Sequence, residues 1–146
     1  MQPSEVDILL IEDNPADAEL AMRSLKKNNS LKNIVHVKDG AQALEFIFCI
    51  GHYSNRDFKI QPKVILLDLN MPKINGIDVL RRIKADEQTK NIPVIVLTSS
   101  NESPDIKACY ELGANSFIVK PVQFENFIQA VAELGLYRIL LNTYLG

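Results

Sequence analysis

The chain has 146 residues, 47% of them hydrophobic and 23% charged, with a formal net charge of -2. That length suits one domain around one hydrophobic core, and the composition is that of a globular domain, which excludes a disordered chain. There is no dense run of Lys or Arg to supply the non-specific phosphate attraction behind most nucleic-acid binding, so no nucleic acid is expected as a direct partner.

Met1 to Asp7 carry acidic and polar groups where a secretory signal has a basic stretch and an apolar run. The first apolar run, Val6 to Ile11, reads as a strand, and Asn14 then Pro15 supply an N-cap and first residue for a helix reaching about Asn28. A short strand follows at Ile34 to Val37. Asp39, with Gln42 three residues on, opens a second helix through Phe48 in the manner of a capping box. The polar stretch His52 to Gln61, between Gly51 and Pro62, is a loop longer than usual.

Lys63 to Leu67 is continuously apolar after its first residue and partly β-branched, as expected of a central strand covered on both faces. A third helix is expected near Gly76 to Ala85 and a fourth strand at Pro93 to Leu97. Ser103 and Pro104 start a fourth helix that Gly113 ends, and Ser116 to Val119 is the fifth strand. Phe124, Phe127, Ile128, Val131 and Leu134 recur at helical spacing after Pro121 and give a fifth helix, which Gly135 ends. The apolar tail from Leu136 to Gly146 either continues that helix onto its own domain or forms part of an exposed partner or dimer patch, with a slight preference for the latter.

No run approaches the ~20 apolar residues that span a bilayer, so the expected setting is cytoplasmic and away from membranes. Cys49 and Cys109 form no CxxC pair, and His36 and His52 show no metal spacing, so none of the four is assigned a role. The strict alternation of strands and helices fits a flavodoxin-like α/β fold, a doubly wound parallel sheet in the order 2-1-3-4-5 filling one domain over residues 1–146. In such a sheet ligands bind at the carboxyl ends of the strands.

Those ends carry Glu12 and Asp13 after the first strand, Asp68 after the third, Thr98 after the fourth and Lys120 after the fifth. Taken singly, each has a plainer explanation: Asp13 and Asn14 cap a helix, Asp68 sits in a turn, Thr98 ends a strand, and Lys120 is a solvated charge. Taken together they converge, because the four strands concerned are neighbours. Three clustered carboxylates require a cation, and a hard divalent ion such as Mg²⁺ suits two carboxylates and a backbone carbonyl. With a metal and an ammonium in place, one carboxylate can attack phosphorus to form an acyl phosphate, and Thr98 can hydrogen-bond a phosphoryl oxygen.

Glu12-Asp13-Asn14, the run Leu66 to Pro72 around Asp68, then Gly76, Thr98-Ser99 and Lys120-Pro121 resemble the receiver domain of two-component response regulators, over roughly residues 5 to 135. The resemblance implies that Asp68 is phosphorylated from a sensor kinase histidine, and that Asp13, Asp68 and the carbonyl of Asn70 bind Mg²⁺ while Glu12 assists through water. It also implies that Lys120 pairs with the phosphoryl group, that the Lys120-Pro121 bond is cis, and that Thr98 and Phe117 form the switch. Glu12 stands where Asp is common, and Phe117 replaces the frequent Tyr. By composition alone, Phe117 is core packing.

The loop before Pro62, the segment Pro121 to Phe127 and the apolar tail are similar to the small regulators paired with bacterial phytochrome kinases. No room for a DNA-binding output domain is expected, so output would pass by protein contact, homodimer formation or phosphorelay. Such a receiver catalyses only its own phosphorylation and dephosphorylation. An aspartyl-phosphate hydrolase is the enzyme alternative, but the position where it carries a second Asp is Asn70. A receiver-like module that is never phosphorylated is the third reading, and the intact set of Asp13, Asp68, Thr98 and Lys120 argues against it.

Overall fold

The computed structural model describes residues 6–27, 31, 33–71, 74–136 and 140. Five parallel strands, β1 (Val6–Ile11), β2 (Ile34–Val37), β3 (Pro62–Asp68), β4 (Val94–Thr98) and β5 (Ser116–Val119), form one sheet in the order β2-β1-β3-β4-β5. Between and after them run α1 (Pro15–Leu25), α2 (Gly40–Phe48), α3 (Gly76–Ala85), α4 (Asp105–Glu111) and α5 (Phe124–Glu133). This is the expected doubly wound arrangement, an α/β flavodoxin-like sheet covered on both faces.

The sheet divides the single core expected from the sequence into two apolar layers. Because side chains alternate across a strand, Leu9, Ile11, Ile65, Leu67, Val94 and Val96 face one side, where they meet Ile47 of α2, Leu80 and Ile83 of α3 and Cys109 of α4. Ile8, Leu10, Val64, Leu66, Ile95 and Leu97 face the other and pack on Ala18 and Leu25 of α1 and Phe127 and Val131 of α5. Every side chain in the Val64 to Leu67 run is fully buried, which is why β3 reads as a continuous apolar block rather than an alternating one. Leu140 is buried in the α1–α5 layer, so at that residue the tail packs on its own domain, and residues 137–139 and 141–146 lie outside the described residues.

Local signals set most boundaries. The Asn14 side chain accepts from the amide of Asp17 at the start of α1, and Asn75 does the same for Asp78 in α3. Helix α1 ends at Leu25, before the expected Asn28, which lies outside the described residues. Helix α4 starts at Asp105, with the Ser103 hydroxyl accepting from the Asp105 amide, so Pro104 sits one position before the helix. Gly113 and Gly135 adopt φ of 106° and 73° just after α4 and α5, the left-handed geometry that ends helices. The expected loop begins with a 3₁₀ turn, Gly51–Tyr53, and is held by buried Arg56, whose guanidinium donates to the carbonyls of Phe46 and Ile60 and lies over the Phe46 ring. Among the described residues no helix is long and apolar enough to cross a membrane.

Gly76, the first residue of α3, packs against the end of β3. A Cβ there would lie 2.5 Å from the Asp68 carbonyl oxygen and 2.6 Å from the Leu69 Cα, both backbone atoms that cannot swing aside. Gly76→Ala should therefore cost about 2–3 kcal/mol in urea unfolding by displacing the Asp68–Leu69 backbone. A loss under about 0.5 kcal/mol would show that α3 can retreat from the strand end.

Candidate functional site

Four of the five strands, β1, β3, β4 and β5, deliver polar groups to the same edge. Strands β3 and β4 run one residue further than their apolar patterns, so Asp68 and Thr98 are the last ladder residues, opposite Leu97 and Val119. Glu12 and Asp13 leave β1, and Lys120 leaves β5 with its amide bonded to the Thr98 carbonyl. Parallel pairing of β1 with β3 and of β3 with β4 sets these ends side by side.

One carboxylate oxygen from each of Glu12, Asp13 and Asp68 lies within 4.8 Å of the others. Glu12 and Asp68 are each 1% exposed, and Asp13 is half-buried. The Lys120 ammonium spans the cluster, 3.3 Å from Glu12 Oε1, 3.4 Å from Asp68 Oδ2 and 3.2 Å from Asp17 Oδ2. Burial lifts the Glu12 carboxyl to about 8, with the hydrogen bond and charge of Asp68 adding to the rise and Lys120 opposing it. For Lys120, burial disfavours the ammonium, but Asp68 and Glu12 outweigh it and hold the group above its ordinary value.

These electrostatics decide whether a divalent cation suits the site. Three carboxylates, two of them buried, are gathered against one lysine, and burial first and Asp68 second favour the protonated form of Glu12. An all-oxygen acidic donor set of this kind fits a hard divalent ion.

The remaining expected residues are placed differently. Asn70 is exposed and its amide donates to Asp68 Oδ1 at 3.1 Å, which fixes the Asp68 carboxylate. Thr98 is buried, but its hydroxyl donates to the Ser100 carbonyl at 3.1 Å and so is engaged with the loop after β4 rather than with Asp68. Phe117 is half-buried against the α2–α3 layer and meets Tyr110 edge-on at 6.4 Å, and both rings line an open groove of about 470 Å³ between β5, α4 and α5. The Lys120-Pro121 bond is cis. His36 bonds the Glu12 backbone carbonyl through Nε2, and His52 pairs with Glu45, and neither ring nitrogen joins the group of Glu12, Asp13 and Asp68 oxygens.

Asp17 carries no signal of a site role in the sequence. Its position three residues after the cap Asn14 puts it in the first turn of α1, and the fold brings that turn beside Lys120.

A doubly wound five-stranded sheet with an acidic cluster and a lysine over its carboxyl edge defines an α/β domain of the flavodoxin-like class with a charged site at the switch edge. The chain belongs to the response regulator receiver domain family, whose pattern it matches over residues 8–132, and it is thus a receiver of two-component signalling. It is similar to the bacteriophytochrome response regulator AtBRR, with 44% identity, a TM-score of 0.85, and coverage of 96% of this chain and 99% of that one. Response regulator Rcp1 of Synechocystis is 38% identical over 124 residues, 85% of this chain and 82% of Rcp1. Rcp1 has been solved in a Mn²⁺-bound form (TM-score 0.74, 36% identity, 94% and 96% of the two chains). The cyanobacterial phytochrome response regulator RcpA has been solved phosphorylated (TM-score 0.76, 37% identity, 95% and 96%). Receiver domains bind a divalent metal and partner with histidine kinases.

Proposed function

We propose that Asp68 accepts a phosphoryl group from a phytochrome-class sensor histidine kinase, with Mg²⁺ as the metal, and that the modified receiver then changes its protein contacts. The observation that carries this reading is the convergence of Glu12, Asp13 and Asp68 within 4.8 Å under the Lys120 ammonium. Asp13, Asp68 and the Asn70 carbonyl would hold the metal, with Glu12 acting through water. When bound, Mg²⁺ supplies the positive charge that offsets repulsion between an anionic nucleophile and an anionic phosphoryl group.

The chain's own residues do the rest. The Asn70 amide holds Asp68 Oδ1, leaving Oδ2 on the Lys120 side. An Asp68 oxygen attacks phosphorus, the bond from phosphorus to the kinase histidine breaks, and the ring nitrogen keeps the electron pair. Lys120 meets a phosphoryl oxygen, and the Thr98 hydroxyl leaves Ser100 to donate to another. Phe117 then follows, filling the space that Thr98 vacates. Water reverses the modification by attacking phosphorus, which returns the carboxylate and releases inorganic phosphate, so no external substrate is turned over. Output is a change at a downstream protein, a phosphorelay partner or a second copy of this chain.

Incubation with acetyl phosphate and Mg²⁺ should give a single phosphoryl adduct by intact mass, mapped to Asp68 and not formed when chelator is present from the start. An unmodified mass with both acetyl phosphate and a matched phytochrome-class kinase would refute the phosphoryl-acceptor reading.

A further inference from the structure

We infer that Asp17 is a positioning residue for phosphoryl uptake, acting through Lys120, an assignment that rests on the phosphoryl-acceptor reading above. An ammonium carries three N–H donors, and the Lys120 ammonium stands within reach of three carboxylates: Glu12 at 3.3 Å, Asp68 at 3.4 Å and Asp17 at 3.2 Å. Two of these belong to the cluster that takes up the cation and the phosphoryl group. Their charge and their partners change during the cycle.

Asp17 stands outside that cluster. Its backbone is fixed by the bond from its amide to Asn14 Oδ1, 3.0 Å, in the first turn of α1. Among the three carboxylates described around Lys120 it is the one that takes no direct part in the proposed uptake of the cation and the phosphoryl group. The lysine needs such a partner, because a four-carbon stem leaves the ammonium many rotamers and pre-positioned charge is what accelerates the transfer. Stability is a poor account of the contact, since the Asp17 side chain is 42% exposed and ion pairs with exposed partners contribute little to folding. Held by Asp17 on the α1 side, Lys120 keeps a donor directed at the site when the cation takes over Glu12 and Asp68.

A double-mutant cycle tests this, using the labelling rate with acetyl phosphate and Mg²⁺ in the natural chain, Asp17→Ala, Lys120→Ala and the double variant. With Lys120 present, Asp17→Ala should slow labelling about fivefold with thermal stability nearly unchanged, and Asp17→Glu should recover part of the rate. With Lys120 absent, the same substitution should change the rate by less than about twofold. Where the Lys120→Ala rate falls below detection, beryllofluoride titrations of the four proteins give the same cycle as binding midpoints. Equal slowing in both backgrounds, no slowing, or faster labelling by Asp17→Ala overturns the inference. Absence of an adduct on the natural chain removes the phosphoryl-acceptor reading and this inference with it, whereas a normal adduct with an unaltered Asp17→Ala rate removes this inference alone.

Discussion

Asp68→Asn abolishes the phosphoryl adduct while leaving the metal-free protein at least as stable as the natural chain. The chemistry follows from the replacement of an anionic oxygen by an amide, which is too weak a nucleophile toward phosphorus. The stability follows from the surroundings. The amide oxygen still accepts from the Asn70 amide, which lies 3.1 Å from Asp68 Oδ1, so the backbone after β3 keeps its anchor. One of three crowded carboxylates loses its charge, and with it goes part of what raises the Glu12 carboxyl to about 8. The lost attraction to Lys120 is partly replaced by Glu12 and Asp17, which remain its neighbours. Intact mass and thermal unfolding in chelator are the two measurements, with Tm expected at or above that of the natural chain. A normal adduct on the Asp68→Asn variant would place the acceptor elsewhere. A large fall in Tm would show that attraction to Lys120 outweighs repulsion within the cluster.

The sheet and its order were legible because the signals are strong and redundant. A four-residue apolar block in β3, β-branched strands and capped, periodic helices all demand the same two-sided burial. The edge of the sheet was legible too, since Glu12, Asp13, Asp68 and Lys120 end strands that the order makes neighbours, and the structure brings these four together.

What escaped depends on rotamers and on long-range placement. Asp17 looks like an ordinary acidic residue in a helix's first turn, and only the approach of Lys120, 103 positions on, gives it a partner. Thr98 lies at the end of the fourth strand, as its last residue rather than the one after it, and which way its hydroxyl turns is decided by the Ser100 carbonyl. At α2 the Asp39 side chain does accept from the Gln42 amide, but the Gln42 side chain returns to the Lys38 amide rather than to Asp39 itself, so the capping box is offset by one residue. Arg56 sits in a stretch that reads as polar loop, and its burial against Phe46 is visible only once α2 and the loop are folded together.

Stabilisation by Mg²⁺ should grow steeply with pH. Below its unfolded value of 4.5, Glu12 is protonated in both folded and unfolded chains, and its neutral form is the one the crowded site favours. As pH rises from 4.5 through about 8, the unfolded chain releases its proton while the metal-free native site resists, so the stability this group contributes is progressively lost. Cation binding requires deprotonated carboxylates, so at neutral pH it must displace the Glu12 proton, and affinity weakens as pH falls. The gain in Tm on adding millimolar Mg²⁺ should therefore be small near about pH 5 and several-fold larger near about pH 8. Glu12→Gln removes the titrating group while keeping its size, so it should flatten this dependence and raise the Tm of the metal-free protein at the upper end of the range. Thermal unfolding with Mg²⁺ or with chelator across that range decides the matter. A gain in Tm that is constant with pH in the natural chain would show that Glu12 is already ionised before the cation arrives, with Lys120 alone supplying the compensating charge.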